Sequence, residues 1–84
     1  MAGIDVRYRG PLRELTGIEG EAINAGTVRD VIRHIKSIHG VPAGKLAKTM
    51  LIAIDGESML LRKGFATPLK DGETVQFLPL CGGG

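Results

Sequence analysis

Aromatic residues and cysteine are scarce in this sequence, which has no tryptophan, one tyrosine, two phenylalanines and a single cysteine among 84 residues. So few aromatic side chains leave no platform for stacking single-stranded bases, which argues against nucleic acid as a partner. The lone Cys81 excludes an internal disulfide and a cysteine-based zinc site, and it fits a reducing compartment. Since no apolar run approaches the ~20 residues of a membrane span or forms a signal peptide, we expect a cytoplasmic protein without membrane contact.

A strong charge of either sign is also lacking, because 11 Lys and Arg residues face 9 Asp and Glu residues, for a net charge of +2. The basic residues are interspersed with acidic ones along the chain and form no block, so the sequence is weak evidence for an acidic partner. A hydrophobic content of 43% with 24% charged residues is typical of a folded chain. The length suits one small domain.

Two strands are predicted at the start of the chain. Residues 3–10 alternate apolar and polar side chains, with Ile4, Val6 and Tyr8 on one face of a half-buried strand. The segment LRELTG predicts a short connection or a single turn, and IEGEAINA predicts a second strand with its polar residues facing outward. These two strands would form a hairpin.

One long helix is predicted next, because apolar residues from Val28 to Ile38 recur at helical spacing. Thr27 is a favourable N-cap and Gly40 stands where a C-terminal cap belongs, so the helix should span about residues 28 to 39. The following segment GVPAGKLAKT contains glycines and a proline and is predicted to be a surface loop.

Three further strands are predicted in the second half of the chain, at MLIAID, SMLLRK and TVQFLPL, separated by tight turns at residues 55–56 and 71–72. In the last strand, the alternation places Val75, Phe77 and Pro79 on the inner side, with Leu78 and Leu80 on the opposite side. About five strands and one main helix on one face predict an α+β fold with a mixed sheet.

No catalytic or metal site emerges from the sequence. GVPAGKLAKT has three residues between its glycines and Leu46 after Lys45, which does not fit a phosphate-binding loop. His34 and His39 lie about 140 degrees apart around a helix, so they cannot share a metal, and we expect exposed imidazoles. The acidic residues are expected in turns or on outward strand faces. We therefore predict a non-catalytic protein without a metal or a permanently bound cofactor.

The last four residues, Cys81 to Gly84, break the pattern of the chain. Terminal glycines are commonly a frayed end. Glycine also lets a backbone pass through a narrow channel, because it has no Cβ and accepts many backbone conformations. Cys81 is either a reactive thiol or a small apolar residue that packs beside a partner, and no base in the sequence stands next to it to activate it.

Over nearly its whole length the chain resembles the ubiquitin-like sulfur carriers, specifically the MoaD-like small subunit of molybdopterin synthase, with the thiamine sulfur carrier ThiS as a cousin. The resemblance rests on LRELTG, TVRDVIRHI, PLKDGETVQFLPL and the terminal Gly83-Gly84, which occur in the family's order. It implies a β-grasp fold whose first and last strands lie parallel at the sheet centre. It also implies a carrier domain over residues 1–80 and a flexible reactive tail over residues 81–84.

The resemblance implies chemistry at Gly84, whose carboxylate would be adenylated with ATP by a ubiquitin-activating-type enzyme similar to MoeB or ThiF. Conversion to a thiocarboxylate would follow, with the large subunit of molybdopterin synthase as the sulfur-using partner. Gly82 and Gly83 would form the slender part of the tail. Gly82 and Arg9 depart from the molybdopterin-type pattern, which leaves sulfur delivery to thiamine, tRNA or amino-acid sulfuration open.

We expect partners to dock on the sheet face opposite the helix, where Leu78 and Leu80 project, with Leu60 or Leu61 beside them and Cys81 following. The alternative is that these leucines fill the core through a bulge or a register shift. Two other functions also remain open. One is a protein modifier joined through Gly84 to lysines of target proteins, and the other is a β-grasp interaction module with an inert tail.

Overall fold

The computed structural model describes residues 2–80 of the chain. None of the helices in this range is long and apolar enough to cross a lipid bilayer. The elements are, in chain order, β1 (Ala2–Tyr8), α1 (Gly10–Thr16), β2 (Gly20–Ala25), α2 (Val28–His39), α3 (Val41–Thr49), β3 (Leu51–Ile54), β4 (Glu57–Ser58), two 3-10 turns (Met59–Leu61 and Gly64–Ala66) and β5 (Thr74–Leu78).

The five strands form one mixed sheet in the order β2-β1-β5-β3-β4. β1 and β5 lie parallel at its centre, and the pairs β1–β2, β3–β5 and β3–β4 are antiparallel. The predicted hairpin, the mixed sheet and the parallel pairing of the first and last strands are therefore confirmed. α2 and α3 carry the chain from β2, at one edge of the sheet, to β3, which leaves the position between β1 and β3 for the last strand.

The core lies between the sheet and α2. Ile4, Val6 and Tyr8 of β1 are buried as the alternation predicted, and α2 buries the stripe Val28, Val31, Ile32 and Ile35. α2 has the predicted bounds because Thr27 and Asp30 form a capping box, in which each side chain accepts a hydrogen bond from the other's backbone N–H.

Two helices replace segments predicted to be irregular. Residues 10–16 form α1, whereas a short connection or a single turn was expected. All of GVPAGKLAKT except its first glycine forms α3, so the predicted loop is wrong. Pro42 is tolerated because it lies in the first turn of α3, where a helix leaves backbone N–H groups unpaired. Gly44 is required by packing, because a Cβ at this position would lie 2.8 Å from the Cβ of Lys36 in α2.

The predicted strand SMLLRK is also wrong beyond its first residue, because only Glu57–Ser58 pairs with β3. The chain then enters the first 3-10 turn, where the Ser58 hydroxyl accepts a hydrogen bond from the backbone N–H of Leu60 at 3.2 Å. Met59 is buried by this turn, while Leu60 and Leu61 are exposed. Met59, Leu60 and Leu61 are three consecutive apolar residues, which a strand would place on both faces of the sheet. The 3-10 turn instead buries Met59 and exposes both leucines.

Pro79 and Ile38 are exposed, although both were expected on inward faces. β5 ends at Leu78, and Pro79 has no N–H with which to continue the ladder. Ile38 is 56% exposed because the inward stripe of α2 continues from Ile35 to His39, four residues later.

Candidate functional site

Two leucines lie side by side at one end of the sheet, on the face opposite α2. Leu51 in β3 pairs with Leu78 in β5, and their neighbours Ile52 and Phe77 point into the core, so both leucines project outward. Leu51 is 39% exposed and Leu78 is half-buried. This pair forms an apolar patch on an otherwise largely polar sheet face.

Three more exposed leucines follow β4 and β5 along the chain. Leu60 and Leu61 lie in the 3-10 turn directly after β4, the edge strand that pairs with β3. Leu80 follows two residues after β5. Their exposed fractions are 74% for Leu60, 77% for Leu61 and 66% for Leu80. We call this set the leucine surface: Leu51, Leu60, Leu61, Leu78 and Leu80.

The leucine surface contains the four leucines that the sequence analysis singled out. None of them is in the buried core, so the alternative of core packing through a register shift is not adopted. Leu60 and Leu61 are exposed on a 3-10 turn and do not lie in the predicted strand. Cys81, Gly82, Gly83 and Gly84 lie outside the described residues, and their roles stay predictions.

Leu51 was missed by the sequence analysis. Its exposure follows from the pairing of Leu51 with Leu78, since this register puts both side chains on the outer face. The alternation of Leu51 and Ala53 against Ile52 and Ile54 was a weak clue, because every residue of this strand is apolar. Periodicity alone could not tell which of the two faces is buried.

Gly10 allows the start of α1 to pack closely against the segment that follows β5. Its φ of 55 degrees is in the left-handed region, and a Cβ there would lie 3.3 Å from the ring of Pro79. The start of α1 therefore packs directly against the residue that follows β5, and any side chain would both strain the backbone and crowd the proline. This contact positions Leu80, the last described residue before Cys81.

A polar cluster lies inside the molecule, beneath the C-terminal end of α2. The Tyr8 hydroxyl donates a hydrogen bond to Oε2 of Glu21 at 2.6 Å, and Nε2 of His39 lies 2.6 Å from the same oxygen. Tyr8 is fully buried, and the side chains of His39 and Glu21 are 13% and 22% exposed. The expectations of an outward carboxylate and an exposed imidazole are therefore wrong for Glu21 and His39.

The pairing of β1 with β2 explains this cluster, because Val6 stands opposite Glu21 and brings the carboxylate to the helix side of the sheet. Burial raises the pKa of the Tyr8 phenol, and the hydrogen bond to Glu21 raises it further, so the phenol stays protonated. Burial alone would raise the pKa of Glu21, but the hydrogen bonds from Tyr8 and His39 and the charge of His39 lower it on balance.

The cluster connects the β1–β2 hairpin to α2 through hydrogen bonds. His39 also packs edge-on against Tyr8, with ring centroids 5.9 Å apart, and Tyr8 in turn contacts Phe77 of β5. No hydroxyl, thiol or amine nucleophile takes part in its hydrogen bonds besides the protonated phenol. Its chemistry is therefore that of a satisfied buried network, which orients β1, β2 and α2 relative to one another.

Comparison with known families gives one match that covers nearly the whole chain. The model of the ThiS family matches residues 6–84, which include the terminal glycines. No protein with a curated description matches the chain.

Solved structures with the same fold include proteins from archaea and bacteria. Small archaeal modifier protein 1 from Methanosarcina acetivorans is 25% identical, with a TM-score of 0.87 over 100% of this chain and 98% of that one. A chain of the BexX/CysO complex from Amycolatopsis orientalis is 25% identical, with a TM-score of 0.81 over 96% and 99%. A chain of the complex of subunits 1 and 2 of molybdopterin-converting factor from Helicobacter pylori is 26% identical, with a TM-score of 0.70 over 98% and 99%.

Proposed function

Because the chain belongs to the ThiS family of ubiquitin-like β-grasp proteins, we propose that it is a non-catalytic sulfur carrier that delivers sulfur from a thiocarboxylate at Gly84. The observation that carries the proposal is the family match, which extends through Gly82, Gly83 and Gly84. The leucine surface supports it, since Leu51, Leu78 and Leu80 lie where β5 ends and the chain continues to Cys81.

Each step of the proposed chemistry uses the Gly84 carboxylate and a partner enzyme. An oxygen of the carboxylate attacks the α-phosphorus of ATP, and pyrophosphate leaves. Hydrosulfide then attacks the acyl carbon of the adenylate, AMP leaves, and a proton is released as the thiocarboxylate forms. The carrier supplies no catalytic side chain in this scheme, because the adenylate makes the carboxylate electrophilic and the partner supplies the donors and bases.

We assign the activation step to an adenylating enzyme of the MoeB/ThiF type, and the use of sulfur to the large subunit of molybdopterin synthase, which gives the protein a role in molybdopterin synthesis. The likeness to one chain of the Helicobacter pylori complex of molybdopterin-converting factor subunits 1 and 2 supports this choice of recipient. The leucine surface would bury its exposed side chains against these partners, with a gain of about 25 cal/mol for each Å² of apolar area removed from water.

A second candidate function is conjugation through Gly84 to lysines of target proteins. The likeness to small archaeal modifier protein 1 favours it, since that protein is named a modifier and its fold superposes over the whole of this chain. Both candidate functions begin with the same activated carboxylate, and they differ in the nucleophile that accepts the acyl group.

Intact-protein mass spectrometry tests the proposal. After incubation with an adenylating enzyme of this type, ATP and sulfide, we expect a mass gain that corresponds to one oxygen replaced by sulfur. A variant lacking Gly84 should show no gain while keeping the circular dichroism spectrum of the parent. An unchanged mass of the parent, under conditions that convert a ThiS-family carrier, would overturn the sulfur-carrier proposal. Lysine-linked adducts without thiocarboxylate would move the assignment to the modifier.

A further inference from the structure

A second surface, away from the leucine surface, is a groove between α2 and α3. It has a volume of about 520 Å³ and is lined by nine residues, five of them basic and none acidic. We call it the basic groove. Its basic residues are Arg29, Arg33 and Lys36 from α2 with Lys45 and Lys48 from α3, and its other residues are Ile32, Val41, Gly44 and Phe65.

The cations of the basic groove have few acidic partners. Arg33 lies 3.7 Å from Asp30, whose other oxygen accepts hydrogen bonds from the backbone N–H groups of Gly26 and Thr27. Within residues 2–80, no ion pair joins Arg29, Lys36, Lys45 or Lys48 to a carboxylate. Positive charge is thus concentrated in one concave place on a protein whose net charge is only +2.

The floor of the groove is apolar and rigid. Val41 is 48% exposed and Phe65 is partly exposed, so both add apolar surface to the lining of the groove beside the cations. α2 and α3 approach closely at Gly44, because a Cβ there would lie 2.8 Å from the Cβ of Lys36. The groove is therefore set by backbone packing and exists before any ligand arrives, which lowers the entropic cost of binding.

We propose that the basic groove binds an acidic amphipathic segment of a partner protein. Aspartate and glutamate side chains of the segment face the five cations, and its apolar side chains cover Val41 and Phe65. The cations of α2 extend from Arg29 to Lys36, seven residues or about two helical turns, so the segment needs roughly two to three turns of helix to span them.

The apolar floor decides between a peptide and a nucleic acid as the occupant. The phosphates of a nucleic acid would pair with the cations and a base could stack on Phe65, but the aliphatic Val41 would stay uncovered, whereas an amphipathic peptide covers both apolar residues. Docking in this groove uses neither Gly84 nor the leucine surface. The inference therefore stands or falls independently of the sulfur-carrier proposal.

Titration of the isotope-labelled full chain with defined probes, followed by NMR, tests the inference. The probes are a synthetic peptide with Leu and Glu at amphipathic helical spacing, a twin peptide with every Glu replaced by Gln, and a single-stranded oligonucleotide. We expect the Glu peptide to shift the amide signals of α2 and α3, and the Gln twin to bind at least about tenfold more weakly.

Matched variants locate the binding. We expect Lys45→Glu/Lys48→Glu to weaken the Glu peptide by about tenfold or more, and Arg9→Glu/Lys70→Glu, with the same change in charge at exposed residues that do not line the groove, to change it by less than about twofold. Val41→Ser should weaken the peptide by about threefold to tenfold, because apolar contact is lost at an exposed position.

Several results would overturn the inference. They are equal losses in the two double variants, amide shifts centred outside α2 and α3, and an absence of binding by the Glu peptide. Tight binding of the oligonucleotide in the groove, insensitive to Val41→Ser, would also overturn it and would identify the occupant as nucleic acid.

Discussion

The leucine surface and the basic groove differ in chemistry and in the way the chain builds them. Leu51 and Leu78 lie on the sheet face opposite α2, while the basic groove lies between the two helices on the other side. The first surface is apolar and stands where the chain continues to Cys81, and the second carries five cations around an apolar floor. The sheet and its core lie between the basic groove and the pair Leu51 and Leu78.

The difference shows that one small carrier can present two surfaces that would attract partners by different forces, apolar burial at one and charge at the other. Apolar burial at the leucine surface is insensitive to salt, whereas attraction at the basic groove falls as ionic strength rises. α2 contributes to both sides of this arrangement, because its inner face packs on the sheet that displays Leu51 and Leu78 and its outer face supplies three cations to the groove. The following predictions test whether the two surfaces act independently of each other.

Charging the leucine surface should have the largest effect. Leu60→Asp/Leu80→Asp places two carboxylates at side chains that are 74% and 66% exposed, so the fold should persist. We expect kcat/KM for adenylation by the activating enzyme to fall by about 30-fold or more, as for the loss of interface hot spots. The control Lys45→Glu/Lys48→Glu should retain this rate within about twofold. Equal losses in both variants would contradict the separation of the surfaces.

Filling the close contact between α2 and α3 should have the next largest effect. Gly44→Ala adds a Cβ 2.8 Å from Lys36, so the helices must move apart, and the free energy of unfolding should fall by about 2 kcal/mol. Urea denaturation measures this value. Gly26→Ala is the matched control, because its added Cβ meets Asp30 at 3.4 Å, an ordinary contact. A Gly44→Ala protein as stable as the control would show that the helix pair is loosely packed.

Removing the charge of Glu21 from the buried cluster should have a smaller effect on the stability of the fold, and this effect should depend on pH. The lowered pKa of Glu21 means that its carboxylate stabilises the fold above the ordinary value of 4.5 and loses this effect as the pH falls below it. We expect Glu21→Gln to cost about 1 kcal/mol at neutral pH, because hydrogen bonds to a charged group are lost. The difference from the parent should shrink as the solution is acidified.

Chemical denaturation at a series of pH values measures this convergence. Glu14→Gln is the control, since Glu14 is exposed and takes part in no ion pair within residues 2–80. Its stability should follow that of the parent at every pH. A constant difference between Glu21→Gln and the parent would contradict a role for the charge of Glu21.

Salt should have the smallest effect and should separate the two surfaces directly. Raising the ionic strength from about 0.05 M to about 0.2 M shortens the screening length, and we expect the Glu peptide to bind the basic groove about threefold more weakly. Binding of the activating enzyme to the leucine surface should change by less than about 1.5-fold over the same range. Isothermal titration calorimetry measures both, and equal salt dependences would refute the comparison.

Local sequence patterns predicted the elements that depend on contacts between residues close together in the sequence. The bounds of α2 follow from Thr27, Asp30 and the buried stripe, all within one segment. The first hairpin and the tight turns at residues 55–56 and 71–72 follow from alternation and from glycines with positive φ. The family resemblance added the parallel pairing of β1 with β5, which no local pattern contains.

The errors came from residues whose roles depend on distant partners. Gly44 was part of a predicted loop, but the close approach of Lys36 requires a residue without a side chain at this position of a helix. Glu21 was expected at the surface, but its pairing opposite Val6 places its carboxylate on the helix side of the sheet. Leu60 and Leu61 looked like strand residues, but the turn that buries Met59 displays them on the surface. In each case a contact across the fold outweighed the local propensity.

The sequence by itself determined the long helix, the alternation of β1 and the buried stripes of β1 and α2, because these depend on the period of apolar residues within one segment. Only the tertiary structure decided which side chains meet. It brought Leu51 beside Leu78, joined Tyr8 to Glu21 and His39, and gathered cations from two helices into one groove. Charges that alternate in sign along a chain can still share one surface, since helix packing selects one face of each helix.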